Sequence, residues 1–224
     1  MKRRRMIMIK RAWILPLILF AVLIYSGTAF AGLTRIGTAT YNGNEYGLIY
    51  EDDQNLIWLD YTKPQEPFGV GWFGMVKWAA GLNYSGVLTY KFNPGVTVAW
   101  LGTWRLPLTV DGGRTFGYDG TTTAGFNITT SEMGHLFYKS LGNLAYYDTK
   151  GNVQAGWAGL KNKGPFVNLL PNSYMSGTEY EAYPMHAWDF NMYFGSQGNM
   201  WFKPNFMCEA LAVRPARVDL PSSK

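Results

Sequence analysis

A chain with a single cysteine, Cys208, can form no disulfide within itself and no zinc site of the Cys-x-x-Cys kind. Burial alone must then hold its fold together. Apolar material is ample: 13 Phe, 15 Tyr and 9 Trp stand among 26 Gly and 11 Pro. That mixture reads as short strands and frequent turns about an aromatic core.

The first 31 residues read as a secretory signal peptide and not as part of the fold. MKRRRMIMIKR is a basic opening, AWILPLILFAVLIY an apolar run of 14 residues, and Ala29-Phe30-Ala31 a small-x-small cleavage site before Gly32. The apolar run falls short of the roughly 20 residues that cross a bilayer. No membrane span is expected after cleavage, and the chain is placed in the periplasm, at the cell surface or outside the cell. The full chain is formally +5, but the leader holds six of its 20 basic residues. The remaining 14 face 15 acidic ones, so residues 32–224 are near −1. A nucleic-acid partner is excluded on that balance. Residues 32–224 are of a length that suits one domain.

Residues 41–61, YNGNEYGLIYEDDQNLIWLDY, carry a turn at Asn42-Gly43-Asn44 and two strand-like runs parted by Glu51-Asp52-Asp53-Gln54. This is a hairpin pattern. The acidic tetrad lacks the spacing and glycine of known calcium loops and reads as a solvated tip. In VGWFGMVKWAAGLN (70–83), Met75, Trp78, Ala79 and Leu82 make one helical face. A second helix is expected over TTSEMGHLFYKSLGN (129–143), opened by a capping box from Thr129 to Glu132 and closed at Gly142. His135 lies beside its apolar stripe and reads as a surface or satisfied core group. GVLTYKF (86–92) and TWRLPL (103–108) are strand-like, and residues 143–173 form a long irregular stretch. AWDFNMYF alternates, with Trp188, Phe190, Met192 and Phe194 on a core face. Asp189 and Asn191 lie on the other face, about 7 Å apart. ALAVRP (210–215) closes the sheet. The sum is an α+β fold with two helices, a largely antiparallel sheet and a long loop region.

WLDY (58–61), GLN (81–83), TWRLP (103–107), the 129–143 helix, SGTEY (176–180), AWDF (187–190) and ALAVRP occur in an order that resembles the bacterial Lcl C-terminal domain family. The resemblance spans about residues 37–216. It implies a C-type-lectin-like fold and an adhesin-like role at a bacterial surface, where the family's named member binds sulfated polysaccharide as a trimer. Two departures are visible: Met175 stands where the family often has Trp, and no collagen repeat is present. A homo-oligomer is compatible with this resemblance.

The candidate ligand-binding residues are Tyr174, Glu179, Glu181, Tyr183, His186, Asp189, Asn191 and Trp201, which join acceptors and stacking rings around one stretch. Trp104, Arg105, Pro107, Trp188 and Arg214 read as structural, the arginines pairing with carboxylates such as Asp60 or Glu179. Lys161, Lys163 and Lys203 would suit a sulfated ligand. No cofactor is required, although oxygen ligands for calcium are at hand near Asp189. The chain lacks G-x-S-x-G and H-E-x-x-H, and His135 and His186 are its two histidines, so enzymatic chemistry is disfavoured. The expected function is binding of an extracellular polysaccharide or surface protein. The alternatives are a structural surface component, or a carbohydrate-active hydrolase using Glu179, Glu181 or Asp189.

Overall fold

The computed structural model describes residues 32–65, 71–205 and 208–221. The leader segment lies outside them. The fold is α+β and mostly sheet, with two short helices and two sheets. Among the described residues no helix is long and apolar enough to cross a membrane.

The chain opens with β1 (Leu33–Tyr41) and β2 (Asn44–Glu51), joined where Asn42 and Gly43 both take positive φ, 48° and 79°. Two such residues in a row make the tight turn that suits strand twist. β3 (Leu56–Lys63) completes the expected hairpin with β2, while β1 lies upstream of the pattern legible in sequence. After α1 (Gly71–Gly81) come β4 (Thr89–Phe92) and β5 (Thr97–Trp100), then the short β6 (Phe116–Gly117) and β7 (Ala124–Phe126). α2 (Glu132–His135) runs into a π-helical turn, Leu136–Ser140. β8 (Ser173–Glu179), β9 (His186–Asn191), β10 (Ser196–Phe202), a 3₁₀ turn at Lys203–Asn205 and β11 (Ala210–Asp219) follow.

One sheet has the order β4-β1-β2-β3-β11-β5 and the other β6-β7-β10-β9-β8. The strand pairs of both are antiparallel except β6 with β7. The first sheet is covered on both faces. Leu56 and Trp58 of β3 join a core with Phe137, Phe166, Tyr174 and Phe190, while Ile57 and Leu59 join another with Leu82, Leu88 and Trp104. Alternate residues of one strand therefore serve opposite cores, which is why this run reads as continuously apolar. A third core packs Trp72, Met75 and Ala79 of α1 on Met175, Ala187, Cys208 and Ala210. The segment before β11 stitches the sheets together: Met175 donates to the Glu209 carbonyl (2.9 Å) and Glu209 to that of Ser173 (3.0 Å).

Several local expectations need correction. The cap of α2 is Ser131, whose hydroxyl accepts from Gly134 N–H, and not Thr129. Glu132 is released from capping and takes Arg105 instead. TWRLPL is an extended segment held to β11 by the single bridge Arg105–Val213. SYMSGTE, left without an assigned element in sequence, is the edge strand β8. Phe194 leaves the core face because β9 ends at Asn191, whose side chain accepts from the N–H groups of Tyr193 and Phe194 and turns the chain. Phe194 is 40% exposed while Met192 stays buried.

Candidate functional site

The face of the five-stranded sheet that bears Asp189 carries a cleft of about 660 Å³. One wall is aromatic. Phe116 and Tyr118 project from a Gly/Thr-rich segment, Phe126 comes from β7, and Tyr147 from the long loop. Tyr118 and Phe126 stack at 5.8 Å and 9°, with Phe116 edge-on to Tyr118 at 5.4 Å and Tyr147 edge-on to Phe126 at 5.0 Å. Four interlocked rings make a stiff wall, yet Phe116 remains half exposed. The Arg114 guanidinium stands 6.0 Å from the Phe116 ring at the rim.

The floor is polar and under-satisfied. Asp189 of β9 is 7% exposed and accepts no hydrogen bond from the described residues. Loss of water around it pushes its pKa up to about 7. Opposite it in β10 stands Gly198, where a Cβ would lie 3.1 Å from the Asp189 carboxyl oxygen. Glycine at that position keeps the carboxyl uncovered. Gln197, the preceding residue of β10, pairs with Phe190, so its side chain turns to the opposite, core face and is 4% exposed. Its amide N–H donates to the Thr123 carbonyl (2.8 Å), but its Oε1 is buried without a partner. Buried acceptors without donors are costly and uncommon. The Asp189 carboxyl, alone on the cleft face without a donor among the described residues, marks a place shaped for a molecule that brings donors.

Of the candidate residues, the cleft gathers Asp189 and Asn191. Asn191 is committed internally, donating to Ser173 Oγ at 2.9 Å while its oxygen holds the Tyr193 turn. Tyr174 is fully buried, its hydroxyl shared with Thr62 (2.9 Å) and Leu170 N–H (2.8 Å). Glu179 pairs with Lys203 at 3.0 Å. Glu181 is exposed, its main-chain N–H on Asp111, and Tyr183 is a surface ring near Tyr180. His186 opens β9 and closes the 180–186 turn through its backbone. Trp201 lies in β10 opposite Ala187, and its side chain is outside the described part. The oxygens expected to meet around calcium are thus dispersed. Arg114, Phe116, Tyr118, Phe126 and Tyr147 escaped the sequence reading. Aromatic residues inside the polar segment DGGRTFGYDGTTTAG were the available signal.

The structural residues act as ties. Arg105 grips Glu132 with both nitrogens at 2.7 Å, and not Asp60 or Glu179. The Pro107 carbonyl accepts from Gly177 N–H (2.7 Å), and Trp104 donates to Tyr90 (2.8 Å). Arg214 donates to the Gly102 carbonyl (2.7 Å) and covers the Trp100 ring at 4.0 Å. Trp188 is buried and donates to Asp111 at 2.7 Å. Lys203, expected among the cations for a sulfated ligand, is 1% exposed, held by Glu179 and lying 4.3 Å from the Trp72 ring.

A second cluster joins the hairpin tip to α2. Glu51, read as part of a solvated turn, is fully buried and takes four donors: Trp58 Nε1 (2.8 Å), Gln54 (2.9 Å), His135 Nδ1 (3.1 Å) and the Ser140 hydroxyl. His135 Nε2 lies 3.0 Å from Asp53. Glu51, Asp53 and His135 place ligand atoms within 4.8 Å of one another and could hold a metal ion. Each ring nitrogen already faces its own carboxylate, so the histidine itself spans the two acids. The hydrogen bond to Glu51 raises the His135 pKa most, burial opposes it, and the Asp53 charge adds to the rise. Ser140 Oγ lies 3.3 Å from Nδ1 and donates to Glu51, so its proton is directed to the carboxylate and not to the ring.

Compared with known proteins, the chain matches no family model, no curated protein and no solved structure.

Proposed function

We propose that this chain is an exported, lectin-like binding module of the Lcl C-terminal domain kind that takes an uncharged glycan in the cleft between the Phe116 wall and Asp189. The carrying observation is the Asp189 carboxyl, without a hydrogen-bond donor among the described residues, beneath an exposed aromatic wall. A sugar ring offers what each surface lacks: an apolar face for the rings and hydroxyl donors for the oxygens. Arg114 at the rim adds donors for ring or hydroxyl oxygens. Export rests on the leader sequence, and the lectin-like reading on two helices set against two sheets with the WRLP and VRP segments as ties.

The uncharged class is favoured over sulfated chains because the cations do not converge. Lys203 is buried in an ion pair, and Lys161 lies beside a different hollow, with Asn143 and Asn162. Calcium has no part in this reading, since Glu179 and Glu181 are engaged or exposed elsewhere. Glycoside hydrolysis needs two carboxyl groups across one bond. Among the described residues Asp189 is the one carboxyl lining this cleft.

The test is thermal unfolding of the full-length protein with soluble polysaccharides, neutral and sulfated, with and without calcium. A binder of the folded state raises the melting temperature by mass action. Neutral glycans are expected to raise it with or without calcium, and Phe116→Ala to weaken binding about tenfold, as loss of an aromatic contact does. A shift confined to sulfated chains, or one that requires calcium, would overturn the assignment.

A further inference from the structure

A second hollow of about 380 Å³ adjoins the cleft, lined by Asn172, Ser173, Asn191, Tyr193, Phe194 and Glu209 among others. Ser173 and Asn191 line both hollows, and the 2.9 Å hydrogen bond between their side chains forms the saddle from one to the other. The second hollow repeats the chemistry of the first. Its aromatic side is Tyr193 and Phe194, 42% and 40% exposed. They are fixed edge-on to each other at 4.9 Å, and Trp157 lies parallel to Phe194 at 6.0 Å. Its buried acceptor is Glu209: Oε1 takes the Asn172 amide at 2.7 Å, while Oε2 lies near the Tyr174 hydroxyl without a well-formed hydrogen bond.

Packing alone gives no reason to hold two large rings out to solvent while burying a carboxyl oxygen beside them. Hydrophobic burial favours turning rings inward, and a half-satisfied carboxylate favours water. Both are accounted for by a ligand that lays apolar faces on the rings and donates to the oxygen. We infer that the two hollows are consecutive subsites of one groove, and that the groove takes the interior of an extended, uncharged polysaccharide and not a single terminal sugar. This rests on the glycan reading of the first cleft and adds chain length and direction to it. The polymer crosses the saddle at Ser173 and Asn191, running from the Phe116 wall to Phe194.

The experiment is titration calorimetry of the full-length protein with dextran, laminarin and arabinoxylan, then with the disaccharide, tetrasaccharide and hexasaccharide of whichever binds. The hexasaccharide is expected to bind at least about tenfold more tightly than the disaccharide, the scale of one further aromatic contact. Phe194→Ala should reduce the hexasaccharide to the disaccharide's affinity and leave the disaccharide unchanged. Glu209→Gln, which keeps shape and fold, should lower hexasaccharide affinity alone. Phe116→Ala should weaken every length. Equal affinity for all lengths would overturn the continuous groove and leave the single cleft standing. A hexasaccharide advantage that survives both Phe194→Ala and Glu209→Gln would also overturn it. No binding by any of the three polymers would remove the glycan reading and this inference together.

Discussion

Asp189 shows how one residue's surroundings set its chemistry. The carboxyl sits on a strand face beside Gly198 with water removed and no donor supplied, and its pKa rises from 3.8 to about 7. A group whose folded pKa is raised gives its full stability below the unfolded value and loses it as pH climbs through the folded one. Ionisation of Asp189 therefore costs the fold up to about 4 kcal/mol between pH 3.8 and about 7. Asp189→Asn carries no charge at any pH. Its melting temperature is expected to exceed the parent's by several degrees near pH 8, with the difference vanishing near pH 4. Melting curves across that range check this, and a constant offset would mean that the substitution acts through packing. The alternation of AWDFNMYF exposed the position of Asp189 in sequence. Its burial and its missing donor were invisible there, because both depend on what Gly198 and β8 fail to provide.

At the scale of elements, the hairpin tip and α2 are joined through His135. The ring meets Glu51 on one nitrogen and Asp53 on the other, with Ser140 and Lys139 of the π-helical turn beside it and Asp52 at the hairpin tip. Its raised pKa places the stabilisation below pH 6.5, to be lost as pH rises through the folded value above that. His135→Gln is expected to cost about 1–3 kcal/mol at pH 6, the price of an under-donated buried carboxylate. The gap to the parent should narrow toward pH 9, which chemical denaturation at the two pH values reads directly. A gap that widens with pH would show the ring to be neutral in the fold. The long stretch 143–173 is an element of another kind. Asp60 accepts from Val167 and Asn168 N–H at 2.9 Å each, Asn143 and Asn162 bond reciprocally, and Leu160, Phe166 and Leu169 enter the core. Its lack of periodicity was plain in sequence. Its order comes from the reciprocal Asn143–Asn162 pair within it and from Asp60, more than one hundred residues from Val167 and Asn168.

For the whole molecule, Cys208 reports on integrity. It is 2% exposed within the α1 core, and burial first, then the nearby Asp189 charge, pushes its thiol pKa up. A thiol reagent should reach it only through opening of the fold. Labelling rates across the variants above are expected to rise about tenfold for each 1.4 kcal/mol of lost stability. Rapid labelling that ignores denaturant would show that the α1 core opens by itself.

The sequence by itself determined the α+β class, the β2–β3 hairpin, the places of both helices, the closing strand and the irregularity of 143–173. Each follows from a periodicity or a turn residue acting over a few neighbours. Tertiary structure decided the division into two sheets, the partner of Arg105, the burial of Glu51 and Lys203, and the meeting of Phe116, Tyr118 and Tyr147 with Asp189. Those outcomes depend on which distant groups remove water from a side chain and which supply its hydrogen bonds. No local pattern carries that information, because the energy of burying a charge or exposing a ring belongs to the pair and not to the residue.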